Sequence, residues 1–384
     1  MSVKELVIIP ALLFSPSFSV LEKDNELSSL FIGVEIEDFI YRQVYYNKQI
    51  IFSRMEFFLE VAKNVFQLKL PIPDNPLGTI NAYLIKTNEG SMLVDTGWNA
   101  PNTYETLIDK MKSYGVGLND IRYIFITHIH PDHYGLVGKL ESVTDSKLII
   151  HKLDRDLLHS HYLQPSGLVD DVEAWLQKNG VPAETKTMYS RSSLNVLGYV
   201  QVAMPNMVGE GGERIRLGDF NFEIVWTPGH SPGHICLYEV NQKFLISGDH
   251  ILEKITPNIS LNFEGMRNPL PDYLDSFQTL RELDVELVLP AHGDIFTSYY
   301  ERIDQIIHHH LERMDGMISL FNEGSQTGYQ IAKLTKWYLP WEDLPMFSKK
   351  VAVTETLAHL ELLVTTGRLS KQESGGVIMY SLPE

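Results

Sequence analysis

A mixed α/β fold, with sheets covered by helices, is what this sequence predicts, and three observations predict it. Four separate apolar runs that read as strands each end in a Gly- or Pro-marked loop carrying His or Asp: His128 to His133, then His230, Asp249 and His292. Stretches with helical spacing of apolar residues lie before and between those runs, Leu107, Ile108 and Met111 ahead of the first of them. The 384 residues, 44% of them hydrophobic and 21% charged, have the composition of an ordinary globular chain and the length for a large core plus a smaller module. If the four strands lie side by side, their loops meet on one edge of the fold.

Residues 1–54 do not fit the rest and read as an N-terminal extension of unassigned role, with an apolar start and an acidic stretch through Glu22, Asp24 and Glu26. A compact domain over residues 55–310 starts at Met55, which opens a segment leading to Gln67-Leu68-Lys69-Leu70-Pro71. Asn81 to Lys86 and Met92 to Val94 are strand-like, and the second ends in Asp95-Thr96-Gly97, where Gly permits a turn. Tyr104 to Tyr114 is helical, Tyr123 to Ile126 is a strand, and Leu148 to Ile150 is another. Helices follow at Leu153 to His161 and Val169 to Lys178, and the long connection between His133 and His230, which includes a weakly periodic stretch from Thr185 to Gly212, reads as containing a lid or binding loops. Strands at Phe222 to Trp226, Ile235 to Val240, Phe244 to Ile246 and Leu287 to Leu289 complete the set, with a helix from Asp272 to Leu283 before the last.

A long helix from Tyr299 to Phe321 carries His308-His309-His310, which cannot all share one face and read mainly as helix surface. The remainder, residues 311–384, reads as a winged-helix-like module. Its order is a helix near Gln330 to Tyr338, a second from Ser348 to Thr366, and a hairpin at Gly375-Gly376.

A net charge of −17 argues against broad affinity for nucleic acid, which depends on Lys and Arg neutralising phosphates. Cys236 is the only cysteine, so no internal disulfide forms and a reducing compartment is favoured. No apolar run approaches the roughly 20 residues that span a bilayer. The apolar segment Leu6 to Val20 contains Pro10 and Pro16 and follows Lys4-Glu5, unlike a signal peptide. A cytoplasmic protein is expected.

His128, His130, Asp132 and His133 occupy positions i, i+2, i+4 and i+5 directly after a strand, a pattern suited to divalent metal. His230 in Thr227-Pro228-Gly229-His230-Ser231-Pro232-Gly233-His234, Asp249 in Ser247-Gly248-Asp249-His250 and His292 in Pro290-Ala291-His292-Gly293-Asp294 bring the metal-capable set to seven. How adjacent ligands group is a matter of geometry, which spacing alone leaves open.

The chain from about 64 to 310 resembles the metallo-β-lactamase superfamily, whose H-x-H-x-D-H loop, later single His, Asp and final His are matched by these seven residues. The resemblance implies an αβ/βα sandwich with a dinuclear site between the sheets. His128, His130 and His230 would hold one metal, Asp132, His133 and His292 a second, and Asp249 would bridge them. It also implies that Asp95 stands behind the ligands, and that zinc occupies the sites, with iron or manganese in some members. Imidazole and carboxylate without thiolate do not decide among the three. The Asp249-His250-Ile251-Leu252 stretch, the Pro290 to Asp294 motif, the His-rich helix and the terminal module look like the branch containing glyoxalase II-like proteins and lactamase-like protein 2.

These readings predict a dinuclear metal-dependent hydrolase of a small acyl substrate, a thioester, lactone or related ester, acting through metal-bound hydroxide oriented by Asp132. His250 and Tyr134 read as packing or structural hydrogen-bond residues near the site. A nuclease or phosphodiesterase of the same fold is the alternative, and a DNA-binding regulator acting through the terminal module is third. The expected partner is a small molecule, without nucleic acid or membrane, and with homodimerisation left open.

Overall fold

Two sheets whose central strands are buried on both faces build the fold, and the strand order places every loop of the candidate site along one edge. The computed structural model describes residues 59–383 apart from 74–76, 164–167, 193 and 262–266. The extension read over residues 1–54 and the start at Met55 lie outside the described residues. In the first sheet β1 (Glu60–Ala62), β2 (Val65–Pro71), β3 (Thr79–Thr87), β4 (Gly90–Val94), β5 (Ile121–Phe125), β6 (Lys147–His151) and β7 (Met207–Gly209) lie in chain order. Pairing is antiparallel through β4 and parallel from β4 to β7. The parallel strands need crossovers. Helix α1 (Pro101–Ser113) supplies one, the short α2 (Pro131–Tyr134) and α3 (Val137–Glu141) the next, and α4 (Lys152–Leu158), α5 (Leu168–Lys178) and α6 (Ala183–Ser192) the last.

The second sheet contains β8 (Arg214–Leu217), β9 (Phe220–Trp226), β10 (Ile235–Glu239), β11 (Phe244–Gly248) and β12 (Leu287–Pro290), in the order β12-β11-β10-β9-β8. Its parallel pair, β11 with β12, is crossed by α7 (Pro269–Arg281). That helix starts where the sequence says it should. Asn268 caps it by accepting a hydrogen bond from Leu270 N at 3.1 Å, and Pro269 takes the first helical position.

Side-chain alternation divides the core into layers. Phe125, Ile149, Ile235, Leu237, Phe244 and Ile246 lie between the sheets. Their neighbours Ile124, Leu148 and Ile150 turn outward onto Leu107, Met111 and Tyr134, while Cys236, Tyr238 and Leu245 turn outward onto α7 residues Tyr273 and Phe277. Helix, sheet, sheet, helix is the αβ/βα sandwich the resemblance implied.

Helix α8 (Tyr299–Ile318) continues from the sandwich into a fourth core, shared with α9 (Gly328–Leu334) and α10 (Met346–Thr365). The hairpin β13 (Ser370–Ser374) and β14 (Val377–Ser381) follows, so the expected order of helix, helix and hairpin is present. Helix α9 opens with a capping box between Thr327 and Gln330. Two expectations need correction. No helix is expected in the weakly periodic stretch from Thr185, yet α6 covers Ala183–Ser192, and Tyr189 joins Leu176 and Val181 in the core with Val353, Leu357 and Leu360 of α10. Burial by a partner distant in sequence, not local periodicity, makes this segment helical. His310, read with its neighbours as helix surface, is fully buried against His359, while His308 is exposed and pairs with Glu312.

No helix among the described residues is long and apolar enough to cross a membrane.

Candidate metal centre

Each candidate ligand stands in the loop or turn that follows a strand, and local backbone chemistry turns it inward. After β5, Ile126 still donates to Ile149 O at 3.0 Å, and Thr127 N then leaves the ladder for Asp95 Oδ1 at 2.9 Å. His128 follows, His130 is in extended backbone, and Pro131 starts the single turn of α2, which carries Asp132 and His133. Two of the other loops depend on glycine. Gly229 before His230 has φ 131°, and a Cβ there would lie 2.4 Å from Tyr273; Gly248 before Asp249 has φ 50°, and a Cβ would lie 2.6 Å from the His234 ring. His292 follows β12, where Ala291 N donates to Gly248 O at 3.0 Å and Asn81 N to Ala291 O at 2.7 Å.

The structure brings all seven predicted side chains together. His128, His130 and His230 form one group, Asp132, His133 and His292 another, and His128, His133 and Asp249 a third, each with ligand atoms mutually within 4.8 Å. In the first group His130 Nδ1 lies 2.8 Å from His128 Nε2 and 3.0 Å from His230 Nε2. In the second, Asp132 Oδ2 is 3.2 Å from His292 Nε2 and 3.7 Å from His133 Nε2. Asp249 faces both: Oδ1 is 3.6 Å from His133 Nε2 and 3.5 Å from His292 Nε2, and Oδ2 is 3.4 Å from His230 Nε2.

Hydrogen bonds on the outer nitrogens set the tautomers. His133 Nδ1 donates to Asp95 Oδ2 at 2.8 Å, His230 Nδ1 to Asn258 O at 2.9 Å and His292 Nδ1 to Thr79 O at 3.2 Å. A neutral imidazole that donates through Nδ1 keeps its lone pair on Nε2, and all three Nε2 atoms face inward. Among the described residues, His133 Nε2, His292 Nε2 and Asp249 Oδ1 are buried without a hydrogen-bond partner. Buried polar atoms of a native fold are nearly always satisfied. Three such atoms from three loops converging on one point therefore fit a bound cation.

Charge divides the cluster in the same way. Burial, then the neighbouring imidazoles, hold His128 well below its ordinary pKa and His130 at about 3, and burial lowers His230. At His133 burial also acts downward, but Asp95, Asp132 and Asp249 outweigh it and hold the imidazole well above its ordinary value. His292 is raised against burial by Asp249 and Asp132. Burial would raise Asp132, yet His133 and His292 hold it at about 2, and Asp249 is held well below the carboxylate range by His292 and His133 against the same penalty. The carboxylates thus demand positive charge at this point, which protons or metal can supply.

Asp95, which the resemblance placed behind the ligands, also accepts from Thr127 Oγ1 and stands at φ 59°, a left-handed conformation that costs a non-glycine residue. Three further participants escaped the sequence reading. Thr127 is one. His234 is the second: it lies 5.2 Å from the His128 ring, accepts Asp249 N at 3.1 Å and faces Thr227 Oγ1 at 2.8 Å, and burial holds its pKa well down. The third, Asp154, is fully buried behind the loops, with its carboxyl pushed up to about 6 by burial. The rule that found the other loops, a polar residue soon after a strand, would have flagged Asp154 after β6. Tyr134 and His250 take structural hydrogen bonds, as read: Tyr134 Oη bonds Ala203 O, and His250 Nε2 lies 2.9 Å from Ser276 Oγ. His308, His309 and His310 join none of the metal-capable groups among the described residues.

The family model of the metallo-beta-lactamase superfamily matches residues 75–292. The human acyl-coenzyme A thioesterase MBLAC2 is 27% identical over 233 residues, 56% of this chain and 74% of that protein. A beta-lactamase-like protein 2 homolog of Caenorhabditis elegans is 27% identical over 282 residues, covering 71% of this chain and 75% of the relative. Among solved structures, a metallo-beta-lactamase family protein from Thermus thermophilus superposes with a TM-score of 0.71 at 27% identity, over 84% of this chain and all of the other.

Proposed function

The chain belongs to the metallo-beta-lactamase superfamily and is a metal-dependent hydrolase, and on that premise we propose that it uses two divalent ions, zinc before iron or manganese, to hydrolyse a small acyl compound, a thioester or lactone. The observation that carries the proposal is the convergence of His133 Nε2 and His292 Nε2 on Asp249 Oδ1, at 3.6 and 3.5 Å, all three buried and without a hydrogen-bond partner among the described residues, beside a second group of three imidazoles. His128, His130 and His230 would hold one ion and Asp132, His133 and His292 the other, with Asp249 between them.

When bound, such ions lower the pKa of water and polarise an acyl carbonyl. The protein's own groups do the rest. Asp132 faces His292 and His133 with a side chain 16% exposed, and Asp249, 12% exposed, faces imidazoles of both groups, so Asp132, which faces the second group alone, would be the carboxylate that orients an attacking water. Asp95 and the carbonyls of Asn258 and Thr79 keep three imidazoles in the tautomer that presents Nε2. Covalent catalysis has no candidate in Cys236, which is buried in β10 with its thiol pushed up to about 12 by burial.

The acyl class is supported by the thioesterase name of the human relative and by a net charge of −17, against which the cationic track of a nuclease is hard to build. A screen of metal-loaded protein against thioesters, lactones, simple esters, β-lactams, phosphodiesters and RNA tests it. Thioester or lactone turnover, with solvent oxygen-18 entering the product acid, is expected. Efficient cleavage of RNA or a phosphodiester with every acyl compound untouched would overturn the acyl assignment in favour of the nuclease reading.

A further inference from the structure

The two proposed ligand groups are braced differently, and only one of the braces was anticipated. Asp95 ties the second group to the first sheet through His133 Nδ1 and Thr127. Among the described residues, no carboxylate takes the same place behind the imidazoles of the first group. Its histidines come from loops on different sheets, His128 and His130 after β5 and His230 after β9, so some contact must hold the two loops at one spacing.

Asp154, the third residue of α4, makes that contact. Its side chain is fully buried and accepts three hydrogen bonds. Ile129 N, the peptide between His128 and His130, donates to Oδ2 at 3.0 Å; Gly233 N donates to Oδ1 at 2.7 Å; and Ser231 Oγ, next to His230, donates to Oδ2 at 3.2 Å. The approach is tight enough to demand glycine on the far side, since a Cβ on Gly233 would lie 2.5 Å from Asp154 Oδ1. Ile129 is also held from its other end, by Tyr162 Oη donating to Ile129 O at 2.6 Å. Asp154 and Tyr162 both come from the crossover between β6 and β7. A buried carboxylate with three fixed donors is costly to displace, because losing any one leaves an unsatisfied buried group.

We propose that Asp154 is the positioning residue of the His128, His130 and His230 group, setting the distance between the two loops so that three imidazole nitrogens meet, as Asp95 does for His133. The proposal rests on the two-ion reading above. Asp154 touches no ligand side chain and no reacting atom, so its effect is on the affinity and geometry of one metal position.

The test uses the full chain, stripped of metal and titrated with cobalt(II), in wild type and in the Asp154→Asn and Ser231→Ala variants. The amide of Asp154→Asn keeps one acceptor and turns an N–H donor toward another donor; Ser231→Ala removes a single hydrogen bond and carries the test if the first variant fails to fold. Wild type is expected to take up two ions per chain. In Asp154→Asn one ion binds as before and the other about ten- to a hundredfold more weakly, the range for a lost supporting contact, with a changed visible cobalt spectrum; Ser231→Ala moves the same ion less. Two ions bound with unchanged affinity in both variants would overturn the proposal, as would equal weakening of both ions with a lowered thermal midpoint, which is the signature of general destabilisation. If wild type itself holds one ion, the two-ion reading fails separately, and Asp154 then stands or falls on whether both variants weaken that ion.

Discussion

Asp95 Oδ2 lies 2.8 Å from His133 Nδ1, and the residue that makes this contact does so from a left-handed backbone at φ 59°. The strain and the hydrogen bond belong together, since the conformation aims one carboxylate at both Thr127 and His133. Asp95→Asn is expected to fold, because Asn tolerates this conformation, yet to bind metal about tenfold to a hundredfold more weakly. Asp95→Ala should lose stability as well, by about 1–2 kcal/mol of backbone strain. Metal titration and denaturant unfolding of the two variants separate the effects.

Elemental analysis of purified or metal-reconstituted protein should find close to two ions per chain. Asp249→Ala should reduce the affinity of both, because its two oxygens face His133 and His292 on one side and His230 on the other. At most one ion in wild type supplied with excess zinc, iron and manganese would end the dinuclear reading.

Asp132→Asn should cost far more in turnover than in metal content. The amide can still bind weakly beside His292, 3.2 Å away, but it accepts a proton from water poorly. Equal losses in turnover and metal would assign Asp132 to ligation alone.

The buried pair His310 and His359 should make the junction of α8 and α10 sensitive to acid. His310 Nδ1 and His359 Nε2 are 3.0 Å apart, and His359 Nδ1 donates to Glu355 O at 2.8 Å. Burial, then His359, His309 and Arg313, holds His310 at about 2; burial, with Arg313 and His309 and against the hydrogen bond to Glu355 O, holds His359 at about 3, and the Tyr273 ring also faces His310. Both folded values lie below the unfolded one of about 6.5. Below that pH the unfolded chain therefore binds protons the folded chain refuses, so their contribution is complete above about 6.5 and is lost as pH falls toward 3. The slope approaches about 1.4 kcal/mol per pH unit for each group. Denaturant unfolding between pH 7.5 and 5 should show a shallower pH dependence in His359→Gln than in wild type; parallel curves would contradict this.

Helix α10 should not read DNA. Ala352, Val353, Leu357, Ala358, Leu360 and Leu363 are all buried, so apolar contact covers the helix almost all round and leaves no polar face to enter a major groove. Salt-sensitive, sequence-specific retention of labelled duplex DNA by the full chain would refute the prediction.

Much of this protein is legible in its sequence because the relevant signals are short in range. A buried strand of the parallel type is a run such as Tyr123 to Ile126, and the polar loop that must follow it announces itself within a few residues, so His128, His130, Asp132, His133, His230, Asp249 and His292 could all be picked out before their meeting was known. Helix starts such as Asn268-Pro269 are likewise local. What depends on partners far along the chain could not be read this way. Helix α6 owes its place to Leu357 and Leu360 across more than one hundred and fifty residues; His310 is buried because His359 lies against it; and which imidazole nitrogen faces inward is decided by Asp95, Asn258 O and Thr79 O. Asp154 belongs to the same class. Between a strand and a helix it looks like any capping acid, and only the approach of Ile129 N and Gly233 N from two different sheets, which no periodicity records, makes it a buried brace.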